Sequence, residues 1–398
     1  MRTAIVNLGT IVSGELAAPI ARGDTIVTAD GLIESVGTAS AAAVASCDVV
    51  IDAGGATAIP GLIDSHVHIT FGDYTPRQKT VGFLESYVHG GVTTAISASE
   101  VHVPGRPKDV AGVKALAVAA SKCFETYRPG GMRVHAGSLI LEPGLTEADF
   151  AELAGLGIWM VKAGFGAFAT PYEYAPLVEM ARRHGMVSMV HTGGSSIPGS
   201  SGIWADHVLR IAPDVSYHVN GGPTAIPDAD FPRLVNESNV AMQVCTAGNL
   251  RTTLLVAELL AKAGKTERLL IATDTPTGSG IMPLGMFYTI SHLASLGGVA
   301  PEIAIAAATG SNARIYRLNS GIIAPGKDAD IVVIDACAGG SQQDALSGLR
   351  NGDVPAVGAV LTAGIPRFVG RSRNTPETIK KVRVARSTIL HDFGGAGH

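Results

Sequence analysis

The chain is poor in cysteine, in aromatic residues and in charge, and each shortage excludes a class of protein. Four cysteines, Cys47, Cys123, Cys245 and Cys337, are scattered over 398 residues. Their separations fit neither a disulfide framework nor a paired-cysteine metal knuckle. Buried, reduced thiols are expected, and with them a cytoplasmic protein. Aromatic residues make up 5% of the chain and charged residues 16%, with a net charge of −4. That leaves no basic stripe for nucleic acid. No apolar run reaches the length of a membrane span. The start, Met1-Arg2-Thr3-Ala4-Ile5-Val6, is strand-like at once and lacks the features of a signal peptide. The partner expected is therefore a small molecule, with neither nucleic acid nor membrane involved.

Apolar residues, by contrast, are plentiful at 46%, enough for a sizeable buried core. The length exceeds one core of average size, and a large α/β domain plus a smaller one fits it. Residues 3–58 read as short strands and turns, such as the β-branched Thr25-Ile26-Val27-Thr28 before the turn Ala29-Asp30-Gly31. From residue 59 apolar strand-like runs alternate with helical stretches at about the spacing of a βα unit. The pattern predicts strands over 59–65, 93–97, 133–139, 158–162, 187–191, 215–218, 240–244 and 269–273. It predicts helices over 109–125, 171–184, 252–263, 284–296 and 301–316. About eight strands close a parallel (β/α)8 TIM barrel. After residue 318 the short-strand style returns, and 359–369 reads as a closing hairpin. A small β-sandwich domain built from both chain ends, 1–58 and 320–398, is expected beside a barrel over 59–319. The polar tail beyond Arg371 is expected to be an extended or helical arm that crosses to another subunit.

The stretch with the most chemistry is Pro60-Gly61-Leu62-Ile63-Asp64-Ser65-His66-Val67-His68. Strand side chains alternate with period two, so His66 and His68 share a face. Two adjacent imidazoles at a strand end form half of a divalent-metal site. A parallel barrel carries its site at the C-terminal ends of its strands. The other apolar runs end there in Lys162, His191, His218 and Asp274. Each alone has an ordinary structural reading: a snorkelling lysine, core histidines, a helix-capping aspartate. Together on one rim they form a ligand set. His135, within the third strand, reads as a core residue.

This set resembles the amidohydrolase superfamily of metal-dependent hydrolases, and the likeness covers nearly the whole chain. Gly326-Lys327-Asp328-Ala329-Asp330 resembles that superfamily's return into its β domain. Within it the chain looks most like hydrolases of cyclic amides, through Gly72-Asp73-Tyr74-Thr75-Pro76-Arg77, His191-Thr192-Gly193-Gly194-Ser195-Ser196 and Asn220-Gly221-Gly222-Pro223-Thr224. The resemblance implies two divalent ions, zinc foremost, with iron or manganese as an option at one position. It implies His66, His68 and Asp274 on the more buried ion and His191 and His218 on the other. Lys162, carrying CO2 as a carbamate, would bridge the two. Asp274 would act as general base and then general acid while a hydroxide held between the ions attacks a ring carbonyl. 6-Oxo-1,4,5,6-tetrahydronicotinate or a related ring amide is the implied substrate, and a homo-oligomer, a tetramer foremost, the implied assembly. Arg77 and Lys79 are candidates for a substrate carboxylate. Ser195, Ser196, Asn220 and Thr224 are candidates through their glycine-rich loops. The same scaffold leaves open a dihydropyrimidinase- or hydantoinase-like ring opener, a dipeptidase, a deaminase or a non-catalytic interaction protein.

Overall fold

A computed structural model describes residues 1–69, 76–99, 106–196, 200–222, 224–276 and 280–389, with backbone alone at 76–81. The two chain ends form two sheets. One is five-stranded, in the order Arg383–Ser387, Val49–Asp52, Arg2–Val6, Thr25–Ala29, Leu32–Gly37. The other is six-stranded, in the order Ile365–Val369, Ala356–Thr362, Ile331–Asp335, Thr57–Pro60, Thr10–Val12, Ile20–Ala21. Ile5, Ile26 and Ile51 of the first meet Ile11, Ile331, Val333 and Leu361 of the second in one core. The alternate residues Ile59, Val332, Ile334 and Val360 pack into the core of the central domain. Period-two alternation thus buries Ile331–Asp335 on both faces, which is why that run is continuously apolar. Ile59 and Pro60, expected at the head of the first barrel strand, pair instead with Val332 and Ile331.

The tail departs from expectation too. Arg383–Ser387 lies antiparallel on Val49–Asp52 of its own chain and does not reach away as an arm. The predicted hairpin is present as Ala356–Thr362 and Ile365–Val369. The helix predicted over 301–316 is two helices, Pro301–Ala308 and Gly310–Tyr316. They break at Thr309 (φ −133°, ψ −90°). Gly310 sits there because a Cβ would lie 2.1 Å from the Gly14 carbonyl oxygen.

Parallel strands fill the middle of the chain. The first is Leu62–Val67, followed by Val92–Ser97. The third is in two pieces, Arg133–His135 and Leu139–Ile140, interrupted around Gly137 at φ +98°. The remaining five are Met160–Ala163, Val187–His191, Val215–Tyr217, Ala241–Cys245 and Leu269–Ala272. Neighbours pair in parallel along this order, the third strand's first piece with the second and its other piece with the fourth. The eighth strand meets the first through Asp274 N–H to the His66 carbonyl and His68 N–H to the Thr275 carbonyl, both 2.9 Å. Inside the circuit Ile63, Ile96, Met160, Met189, Val215 and Leu270 pack on Ala313 and Tyr316 of helix Gly310–Tyr316. That apolar plug closes one end and leaves the C-terminal strand ends for polar residues.

Candidate metal centre

The first strand does not alternate strictly. Asp64 pairs with Ala95 and Val67 with Ser97, so three steps on one strand oppose two on the other. The extra residue is a bulge, which turns consecutive side chains toward one side. Ser65 and His66 accordingly both reach Gln243, at 2.8 and 2.9 Å. Val67 points into the outer core. His66 and His68 keep a common direction: each Nε2 lies 3.1 Å from Asp274 Oδ1. Asp274 stands two residues past Leu269–Ala272, at φ +59°. This left-handed backbone is uncommon for a non-glycine residue and turns the carboxylate toward the histidines.

His191 ends the fifth strand and His218 follows the sixth. His191 Nε2 lies 2.8 Å from the Gly194 carbonyl. A carbonyl only accepts, so Nε2 carries the proton and Nδ1 keeps its lone pair. That Nδ1 is 3.1 Å from His218 Nε2. Strict alternation would send Tyr217 and His218 to opposite faces. His218 sits at φ +35°, and both rings join the site. Tyr217 stacks on His66 with centroids 4.0 Å apart. The Lys162 ammonium nitrogen lies 3.9 Å from the centroid of the same tyrosine ring. Lys162 is fully buried, and its Nζ has no hydrogen-bond partner among the described residues.

Burial sets the charges. It pulls His66 and His191 down to about 4 and His218 well below its ordinary value, so these rings are neutral at pH 7. It pulls Lys162 down to about 7, so a large share of its amine is unprotonated. Burial pushes the Asp274 carboxyl up, but the neighbouring His66 and His68 rings outweigh this and hold it well below the carboxylate range. Neutral imidazoles around an ionised carboxylate are the donors that a zinc-like cation prefers. One donor atom from each of His66, His68 and Asp274 lies within 4.8 Å of the others. The buried Lys162 amine, without a hydrogen-bond partner among the described residues, lies in the same pocket over the Tyr217 ring that stacks on His66.

The expected substrate residues fare differently. Arg77 and Lys79 fall in helix Pro76–His89, where their side chains lie outside the described residues. Ser195 and Ser196 are exposed; the Ser195 hydroxyl donates to the Ser200 carbonyl and the Ser196 backbone N–H donates to Ser200 Oγ, both at 2.9 Å. Thr224 is exposed, and its carbonyl oxygen lies 2.5 Å from where a Cβ on Gly193 would sit. Gly193, at φ +109°, lets these two loops touch. Asn220 is a correction. It is fully buried, donates to the Cys245 carbonyl and Thr253 Oγ1, and accepts from Cys245 N–H. Its side-chain amide locks the sixth strand's loop to the seventh strand and helix Leu250–Lys262. Cys123 is another correction, since it is exposed and Cys337 half-buried, although all four cysteines are free.

Sequence reasoning passed over Asp64, Ser65, Gln243 and Asn312. Asp64 accepts from Thr273 N–H and Oγ1 and from His66 N–H, and burial raises it to about 7. A glutamine at the centre of Ala241-Met242-Gln243-Val244-Cys245 was the available signal, and Asn312, in Gly310-Ser311-Asn312-Ala313-Arg314, gave none.

Residues 57–379 match the amidohydrolase family, and the chain belongs to it. Among curated proteins it is similar to an enamidase of Eubacterium barkeri, 44% identical over 96% of this chain and 99% of that protein. It is similar to an imidazolonepropionase of Salinispora tropica at 24% identity, covering 91% and 97%. A crystal structure of an enamidase superposes with a TM-score of 0.91, covering 96% of this chain and all of the other. No helix among the described residues is long and apolar enough to cross a membrane.

Proposed function

We propose that this chain is a metal-dependent hydrolase that opens a cyclic amide at its C–N bond, as the enamidase likeness suggests, with 6-oxo-1,4,5,6-tetrahydronicotinate as the substrate to try first. The observation that carries the reading is the convergence of His66 Nε2 and His68 Nε2 on one oxygen of Asp274, beside the buried amine of Lys162. In this reading residues 59–319 form a (β/α)8 barrel and 1–58 with 320–398 a β-sandwich domain. The sheet boundary supports placing Ile59 and Pro60 with the sandwich. His66, His68 and Asp274 would hold one zinc, with His191 and His218 holding a second metal. Lys162 would bridge them as a carbamate. The enzyme would be cytoplasmic and a homotetramer.

The ions would supply an electrophilic pull on the ring carbonyl and acidify the attacking water. The chain's own residues do the rest. Asp274, ionised and tethered by its backbone to the first strand, takes the water's proton on its carboxylate. It then delivers that proton to the ring nitrogen as the C–N bond breaks. The products are a carboxylate and an enamine, which takes up water and loses ammonia to leave an aldehyde. His191 is held by the Gly194 carbonyl, so its donor nitrogen does not rotate away. Tyr217, stacked on His66 and under the Lys162 amine, excludes water from the floor of the site.

The test is zinc per chain together with ammonia release from 6-oxo-1,4,5,6-tetrahydronicotinate. About two zinc ions with turnover support the reading. Two ions without turnover discard the substrate, and one ion or none discards the bridge through Lys162.

A further inference from the structure

Four fully buried polar side chains run from helix Gly310–Tyr316 to His66, and hydrogen-bond chemistry allows them only one direction. Asn312 Nδ2 lies 3.0 Å from the Ile63 carbonyl, 3.0 Å from the Ile271 carbonyl and 3.3 Å from the Ala307 carbonyl. Carbonyls only accept, so the amide nitrogen faces them and Asn312 Oδ1 faces Ser65. Ser65 Oγ, at 2.8 Å, must give its one proton to that oxygen. Its own oxygen then accepts from Gln243 Nε2, 2.8 Å away. A flipped Gln243 would ask Ser65 for a second proton, which it does not have. Gln243 Oε1 is therefore the atom 2.9 Å from His66 Nδ1, and that nitrogen must carry the ring's proton. The Cys245 thiol, 3.5 Å from the same oxygen, is a further donor aimed at it. His66 Nε2 is left with its lone pair directed at Asp274, where two electron-rich atoms stand 3.1 Å apart as if across a cation.

We propose that Gln243 is a positioning residue, oriented by Asn312 through Ser65, that fixes His66 in its Nδ1–H form and so prepares Nε2 as a metal donor before any metal arrives. The idea rests on the metal-site reading above, but its tautomer claim concerns the metal-free protein. Helix Gly310–Tyr316 thereby acts on the site across 247 residues of sequence without touching the ligand. Hydrogen-bond partners of ligating histidines typically change metal affinity 10–100-fold on mutation.

The experiment is nitrogen-15 NMR of histidine-labelled, metal-free full-length protein, with His66 assigned by its loss in His66→Asn. Zinc affinity is measured in parallel by competition with a chelating dye. Wild type is expected to show His66 in the Nδ1–H form. Gln243→Leu is expected to mix the tautomers and weaken zinc binding by about 10–100-fold. Ser65→Ala keeps the Gln243 acceptor but frees the amide to flip, so it too is expected to mix tautomers. It also serves if Gln243→Leu does not fold. A pure Nδ1–H signal in Ser65→Ala and Gln243→Leu, or an Nε2–H signal in wild type, overturns the proposal. If wild type binds no zinc, the functional reading falls, while the tautomer spectra still decide this one.

Discussion

Replacing Lys162 by methionine tests the electrostatics of the site most directly. Methionine keeps the length and removes the amine, which is fully buried and has no hydrogen-bond partner among the described residues. The fall of that amine from 10.5 to about 7 corresponds to roughly 5 kcal/mol against holding the charge in place. An unfolded lysine titrates near 10.5 and the folded one near 7, so between these values the unfolded chain holds a proton that the folded chain lacks. Stability of the metal-free wild type therefore rises with pH across this window, at about 1.4 kcal/mol per pH unit. Lys162→Met lacks this slope. Its advantage is expected to be largest below pH 7 and to shrink by about 2 kcal/mol between pH 7 and 9. A chain this long unfolds with an entropy of roughly 0.8 kcal/mol/K, so the shrinkage is about 3 °C in Tm. Chelator-treated samples melted at pH 6, 7, 8 and 9 provide the assay. A variant less stable than wild type at pH 7, or a difference that does not change with pH, would refute the reasoning. With zinc restored, the order should reverse, because the variant loses one of the two places.

Asp274→Asn keeps the shape but gives up the proton acceptor, and ammonia release should fall about 10²–10⁴-fold; activity within a few-fold of wild type would remove Asp274 from proton transfer. Gly310→Ala places a methyl 2.1 Å from the Gly14 carbonyl oxygen. Overpacking of this kind costs about 1–3 kcal/mol, visible as a lower denaturation midpoint, whereas an unchanged midpoint would mean the helix break is not packed against that loop. Burial, helped by the charge of Arg133, pulls His135 down to about 4. Its unfolded form binds a proton near 6.5 and its folded form only near 4, so stability is lost as pH falls through that window. His135→Leu should flatten that loss in thermal melts, and an unchanged slope would place the loss elsewhere. Chelation of the zinc-loaded enzyme should lower its Tm, since a ligand at about 100 times its Kd adds roughly 3 kcal/mol; no shift would mean that metal is not bound to the folded state.

Much was legible from local pattern, because period-two strands state their own direction. Pro60 through His68 announced a histidine pair, and apolar runs ending in Lys162, His191, His218 and Asp274 announced a rim. Those signals survive because an apolar strand ending in a polar residue is the same statement in one dimension and in three. The corrections arose where direction depends on a partner. Ile59 looked like the head of the first parallel strand, yet it pairs with Val332 in the sheet of the chain ends. Asn220 looked like a loop residue open to substrate and is tied to Cys245 and Thr253. The helix over 301–316 breaks because Gly14, almost three hundred residues away, occupies the space a straight helix would need.

Composition and spacing by themselves determined the class of chain: an α/β protein with paired histidines and four further polar residues at the ends of apolar strands. Tertiary structure alone decided which nitrogen of each histidine faces inward. It did so through a bulge in the first strand, positive φ at His218 and Asp274, and the buried line from Asn312 to His66. Hydrogen-bond direction is a property of pairs of atoms brought together from distant parts of the chain, and no stretch of sequence carries it alone.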